Sequence, residues 1–178
     1  MPQTHLITGP PGAGKTALIA ELRARGFDCV DEPARRVLAA QRKVDGKGVP
    51  DKDPALFTEL MLSAAVEDFQ SRRDGAQPVF FDRGVPDIVA YARLFGIDDR
   101  AALEASNLHR YRREVFFAPP WPAIYCQDGE RKMTFGEARA FGDRMRAAYR
   151  EAGYVLVELP LAPTPERADF VLGLLPSD

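Results

Sequence analysis

The chain has 178 residues, enough for one domain with a sizeable core. Hydrophobic residues at 46% and charged residues at 28% exclude disorder, and a net charge of -2 leaves no overall basic field of the kind nucleic-acid binders carry. Cys29, Cys126, His5 and His109 stand in no zinc, disulfide or triad spacing, and no apolar run approaches the roughly 20 residues of a membrane span.

The amino terminus passes almost at once into a first strand around Leu6-Ile7, with no room for a signal peptide, so the expected location is cytoplasmic. His5, at its start, reads as structural. Next comes Gly9-Pro-Pro-Gly-Ala-Gly-Lys-Thr16, which matches the P-loop spacing G-x-x-x-x-G-K-[ST] at every fixed position between a strand and a helix. Glycine at 9, 12 and 14 permits backbone angles that side chains forbid and lets amides approach phosphate oxygens. The nucleotide cradle is expected over Pro11, Gly12, Ala13, Gly14, Lys15, Thr16 and Ala17, with donating amides from Gly12 onward. Lys15, read as a surface lysine, is expected to reach the β- and γ-phosphates. The Thr16 hydroxyl is expected to ligate magnesium.

The first helix runs from Lys15 to about Arg25 and stops at Gly26. Phe27 to Val30 reads as a second strand ending in Asp31-Glu32-Pro33-Ala-Arg-Arg36, with Pro33 opening a helix to Arg42. A carboxylate at that strand end is placed to accept or hold a substrate hydroxyl proton; Glu32 is the first choice and Asp31 the reserve. Arg35 or Arg36 is a candidate for holding an anionic substrate, although adjacent arginines on a helix are by default solvated. The polar, glycine-rich stretch from Lys43 to Lys52 is a loop. Asp53-Pro54 opens a helix to about Arg73, in which Phe57, Leu60, Met61, Ala65 and Phe69 share a face and are expected to pack in the core.

Pro78 to Phe81 is a third strand, apolar throughout and so expected to be buried on both faces. Asp82 ends it in the manner of a Walker B aspartate that holds magnesium. Arg83 stands where many hydrolytic P-loop machines carry a water-orienting glutamate. A planar guanidinium there suits the equatorial oxygens of a transferring phosphoryl group, which favours transfer over hydrolysis. Helices follow at about Val85 to Phe95 and Ala101 to Arg112, then a fourth strand at Val115 to Ala118. Asp87 and Tyr91, one helical turn apart, are candidate substrate contacts. Asp128 to Arg139 reads as a charged loop able to close on the nucleotide and bring Arg131 or Lys132 to the phosphates. A helix from Thr134 to Ala152, a fifth strand from Tyr154 to Leu159 and a last helix capped by Thr164-Pro165 complete the chain.

Alternating strands and helices predict a parallel sheet wrapped by helices, with ligands at the carboxyl ends of the strands. No repeat or second-domain boundary is present, so residues 1–178 are expected to form one domain. Within it, 43–75 is a candidate acceptor-binding region and 127–139 a candidate lid. A GTPase is disfavoured, because Asn107 is the only asparagine and lies in no guanine motif.

The P-loop, the Glu32-Pro33 element and Asp82-Arg83 together resemble the nucleoside and nucleotide kinase branch of the P-loop proteins. The order GPPGAGKT, DEPARR, VFFDRGVPDIVAYARLFG, VFFAPPWPAIY and AGYVLVELP is similar to small predicted ATPases with an AAA-type domain related to the kinase part of nicotinamide riboside kinase. The resemblance implies a three-layer P-loop NTPase fold with a five-stranded parallel sheet of order 2-3-1-4-5, and ATP with Mg2+. It carries Lys15 and Thr16 to phosphate and metal, Asp82 to metal, Glu32 to the acceptor hydroxyl, Arg83 to phosphate and Arg131 to the lid. The expected function is γ-phosphoryl transfer to a small-molecule acceptor. A regulatory ATPase or nucleotide-dependent switch without such an acceptor is the alternative.

Overall fold

The computed structural model describes residues 3–126 and 133–175. Among them, β1 (Thr4–Thr8) leads to α1 (Lys15–Ala24), β2 (Asp28–Val30), α2 (Pro33–Lys43) and α3 (Pro54–Gln70). Then come β3 (Val79–Asp82), α4 (Val85–Leu94), α5 (Arg100–Leu108), β4 (Glu114–Phe117), α6 (Phe135–Glu151), β5 (Val155–Glu158) and α7 (Thr164–Gly173). The strands form one parallel sheet in the order β2-β3-β1-β4-β5, with Leu6 opposite Phe81 and Ile7 opposite Phe116.

The period-2 alternation of the strands sorts their side chains between two helical layers. Leu6, Val79, Phe81 and Val115 pack with Ala65, Phe69, Val85 and Tyr149 from α3, α4 and α6. Ile7, Phe80 and Phe116 point the other way, onto Leu18, Ile19 and Leu22 of α1 and Ala168 and Val171 of α7. β3 is buried along its whole length, as its continuous apolar run requires. The sheet order 2-3-1-4-5 and the three layers are those expected from the sequence, and no helix among the described residues is long and apolar enough to cross a membrane.

Several element ends differ from expectation, among them α3, which stops at Gln70 and not near Arg73. α5 stops at Leu108 and not near Arg112, because the chain must extend to bring Tyr111 into the core against Phe69 and Phe81, at ring distances of 4.8 and 5.3 Å. The Arg112 amide then donates to the Thr4 carbonyl at 3.0 Å, which no helical residue there would allow. At α7 the cap position is Pro163 and Thr164 is the first helical residue.

His5 is buried between Phe80 and Phe116, with ring centroids 5.3 and 6.4 Å away and Nε2 without a hydrogen-bond partner among the described residues. Burial, with a smaller push from Arg112 and an opposing pull from Glu114, lowers its pKa to about 4. The unfolded chain therefore binds a proton between pH 6.5 and 4 that the folded chain refuses, so stability falls as pH falls through that window. His5→Phe is expected to abolish that part of the acid sensitivity, on the order of 3 kcal/mol by pH 4. Urea titrations of both proteins at pH 7 and pH 4.5 check this; parallel losses would contradict it.

Candidate functional site

Every strand-end motif converges at the carboxyl edge of the sheet. The P-loop leaves β1 through Gly9, whose φ is +140°, and a Cβ there would sit 2.2 Å from the Ala118 carbonyl oxygen. Only glycine lets the loop pass that close to the end of β4. Gly14, at φ +80°, is the N-cap of α1, and no side chain caps the helix. Its leading amides therefore remain donors at the positive end of a helix dipole, the arrangement that binds anions.

Lys15 is not the surface lysine expected from the sequence. It is 6% exposed, and its Nζ donates to the Pro10 carbonyl at 2.9 Å across its own loop. Burial, with Arg83 adding to it, lowers its pKa to about 8, while Asp82, Glu32 and Asp87 pull it back up. The ammonium is thus held in place as a fixed charge inside the loop.

The choice between Asp31 and Glu32 is made by direction. Asp31 is exposed and pairs with Arg23 at 2.7 Å on the outside. Glu32 occupies the N-cap position of α2 but makes no capping hydrogen bond. Its carboxylate lies 2.8 Å from Arg83 Nε and 3.4 Å from Arg35 Nε. Burial alone would raise its pKa, but Arg83, Lys15 and Arg35 together bring it below the usual glutamate value.

Asp82 is 4% exposed, and its Oδ1 has no hydrogen-bond partner among the described residues. It is not the cap of α4, whose Gly84 amide is taken by Asp87 at 2.8 Å. Burial raises the Asp82 pKa to about 6, against the opposing effect of Lys15. An orphaned buried carboxylate oxygen whose charge acts on Lys15 of the P-loop is a fitting donor for a hard divalent cation, which takes oxygen ligands. Thr16 itself is exposed and accepts from Arg35 Nη2 at 3.2 Å.

Arg83 adopts a left-handed φ of +66°, rare for a residue with a side chain. The turn is fixed by its amide, which donates to the Ile7 carbonyl at 3.0 Å. The guanidinium lies between Glu32 and Asp87, with Nη1 3.4 Å from Asp87 Oδ1 and 3.8 Å from Met145 Sδ. Strain of this kind persists where surrounding contacts over-determine the position, and it collects at functional sites.

Asp87 lines the second of the two cavities described below, but its carboxylate is already engaged. Its oxygens accept from Thr8 Oγ1 at 2.5 Å, Tyr149 Oη at 2.6 Å and the Gly84 amide, which binds β1, α4 and α6 together beneath Arg83. Arg36 departs from its expected role: it forms two hydrogen bonds to Asp68, at 3.0 and 2.8 Å, and ties α2 to α3. Arg35 does face the P-loop. Arg131 and Lys132 of the candidate lid lie outside the described residues. The rest of that segment starts α6, where Thr134 and Glu137 form a capping box.

Two cavities meet at this edge. One, of about 750 Å³, is lined by Gly12, Gly14, Lys15, Thr16 and Ala17, with Trp121, Ile124, Pro163 and Arg167 beyond. The other, of about 580 Å³, is lined by the loop from Asp45 to Lys52, by Phe57 and Met61 of α3, and by Ile88, Tyr91, Phe95 and Phe141. Glu32 and Arg83 line both. The apolar stripe of α3 is therefore divided: Ala65 and Phe69 join the core beside the sheet, while Phe57 and Met61 are core residues that also wall the second cavity. The candidate acceptor region narrows accordingly to its amino-terminal half. The sequence reading missed Arg167, Tyr149 and Thr8, none of which belongs to a motif or stands at a diagnostic spacing.

A family model described as AAA domain matches residues 4–167. No match is found among curated proteins. Among solved structures, deoxyadenosine kinase from M. mycoides, bound to dCMP and a flexible dCDP, is similar with a TM-score of 0.70 at 12% identity, over 96% of this chain and 97% of that one. NadR protein in complex with NR gives a TM-score of 0.69 at 18% identity; the alignment covers 96% of this chain and 50% of NadR. Shikimate kinase from Acinetobacter baumannii, in complex with shikimate, gives 0.62 at 18% identity over 98% and 92%. At these identities the likeness establishes the fold.

Proposed function

This chain belongs to the AAA domain family, and from that premise we propose that it is an ATP-binding, magnesium-dependent phosphotransferase that moves the γ-phosphoryl group to a small-molecule acceptor. The observation that carries the reading is the shared wall: Glu32 and Arg83 face the P-loop cavity on one side and the apolar cavity on the other. A group held there touches both a donor in the first cavity and an acceptor in the second. The kinases of like fold support the same reading.

In this scheme the α1 amides and Lys15 hold the phosphate chain, and Arg83 neutralises charge on the equatorial oxygens during transfer. An acceptor oxygen forms the new bond to the γ-phosphorus as the bond to the β-bridging oxygen breaks and ADP departs. Glu32, whose pKa is lowered by its cationic neighbours, orients the acceptor hydroxyl by accepting its hydrogen bond and receives the proton late, as fits a loose transition state. Tyr91, which lines the apolar cavity and whose buried hydroxyl has no hydrogen-bond partner among the described residues, is a further candidate acceptor contact. Asp82 and Thr16 would hold a magnesium ion, which would supply positive charge to offset that of the phosphate chain.

Incubation with ATP, magnesium and a panel of hydroxyl and phosphate metabolites is expected to give acceptor-dependent ADP. Turnover that no acceptor stimulates would replace this reading with a regulatory ATPase. Asp82→Asn is expected to lose magnesium stimulation and about 10²-fold in rate. Its melting temperature should not fall, since the variant removes a buried carboxylate oxygen that has no partner. Undiminished magnesium dependence would remove Asp82 from the metal site.

A further inference from the structure

We propose that Arg167 is a second cation of the nucleotide cavity and takes a phosphate oxygen of the bound triphosphate from the α7 side of the P-loop. The inference rests on the nucleotide reading of that cavity. Arg167 is 2% exposed, yet only Nη1 is engaged, donating to the Ala13 carbonyl at 3.0 Å. Nε and Nη2 are buried with no hydrogen-bond partner among the described residues.

A guanidinium stays protonated in proteins, so this is a buried charge with two unsatisfied donors. Such a group is costly unless something pairs with it. The other deeply placed arginine, Arg83, lies between Glu32 and Asp87. No carboxylate forms an ion pair with Arg167 among the described residues. Burial alone lowers its pKa, with no acidic neighbour acting on it.

Its position indicates what supplies the missing charge. Arg167 lines the same cavity as Gly14, Lys15 and Thr16, and Nη1 fills the space a Gly14 side chain would need, 2.7 Å from an ideal Cβ. Ala168 and Val171 on the same helix are buried against α1, and Arg25 holds Asp169 at 2.5 Å, so the guanidinium is presented by an anchored helix. A donor-only, permanently charged fork beside the phosphate cradle matches an anionic oxygen.

The test uses the full chain and calorimetry with magnesium, titrating inorganic tripolyphosphate and ATP into wild type, Arg167→Met and Arg167→Lys, each checked for folding by circular dichroism. Arg167→Met is expected to weaken both ligands equally, by about 10- to 100-fold, and Arg167→Lys to fall between. The ligand-induced rise in melting temperature should shrink in the same order. Unchanged tripolyphosphate affinity in Arg167→Met would overturn the proposal: Arg167 would then be a brace on Ala13 if ATP is also unaffected, or a base contact if ATP alone weakens. Wild type that binds neither ligand would remove the nucleotide reading along with this one. Wild type and Arg167→Met that bind both ligands equally would remove this one only.

Discussion

Lys15→Ala is expected to cut nucleotide-dependent turnover by about 10²- to 10³-fold, the usual cost of losing a fixed charge aimed at developing negative charge. The expectation follows from how the lysine is held. Its Nζ is already immobilised against the Pro10 carbonyl, so it need not be ordered when phosphate arrives. Its environment also holds its pKa near 8, so the charge is costly in the empty protein and is better satisfied with phosphate present. The fold should therefore survive the substitution, since the alanine removes a buried ammonium along with its single hydrogen bond. Thermal melts with and without ATP give the check: a similar melting point for the empty proteins, with the ATP-induced rise lost only in the variant. A variant that turns over at the wild-type rate would remove Lys15 from the mechanism.

Arg83→Met is expected to have a comparable effect on rate and a much larger one on stability. Removing the guanidinium leaves Glu32 without its partner at 2.8 Å and with only Arg35, at 3.4 Å, in its place. Breaking a buried pair in this way costs about 3 to 5 kcal/mol. Asp87 suffers less, because Thr8, Tyr149 and the Gly84 amide still satisfy it. Turnover should fall by about 10³-fold, within the range of a transition-state arginine supplied by the enzyme itself. Arg83→Lys restores charge but not the planar fork, so it should recover stability more than rate. Arg83→Gly separates the backbone from the side chain: it relieves the φ of +66° but leaves Glu32 unpaired. Denaturant titrations with single-turnover transfer measurements distinguish these contributions. An Arg83→Met protein of normal stability and rate would contradict the role assigned to the shared wall.

Much of the fold was legible because its signals are local. Strand-length apolar runs, Gly26 after α1, Asp53-Pro54 before α3 and Thr134 at the start of α6 each act within a few residues, and the structure places an element boundary at each. The glycines of the P-loop are equally local, since a backbone angle belongs to one residue. The strand order followed from the resemblance carried by three motifs, and the sheet has that order. The end of α5 was misjudged because Tyr111 leaves the helix for a cavity made by Phe69 and Phe81, residues more than twenty positions away.

What the sequence determined by itself was the set of chemical groups at the strand ends: a phosphate loop, a carboxylate after β2 and an aspartate-arginine pair after β3. Tertiary structure alone decided which of those groups face one another. It turned Glu32 inward and Asp31 outward, engaged Arg36 with Asp68, drew Asp87 into a network joining β1, α4 and α6, and buried Lys15. It also brought Arg167 beside Gly14, from a helix more than 150 residues later in the chain. Backbone preference and capping are short-range and can be read from neighbours. Charge pairing and burial depend on which distant segments the folded sheet brings together.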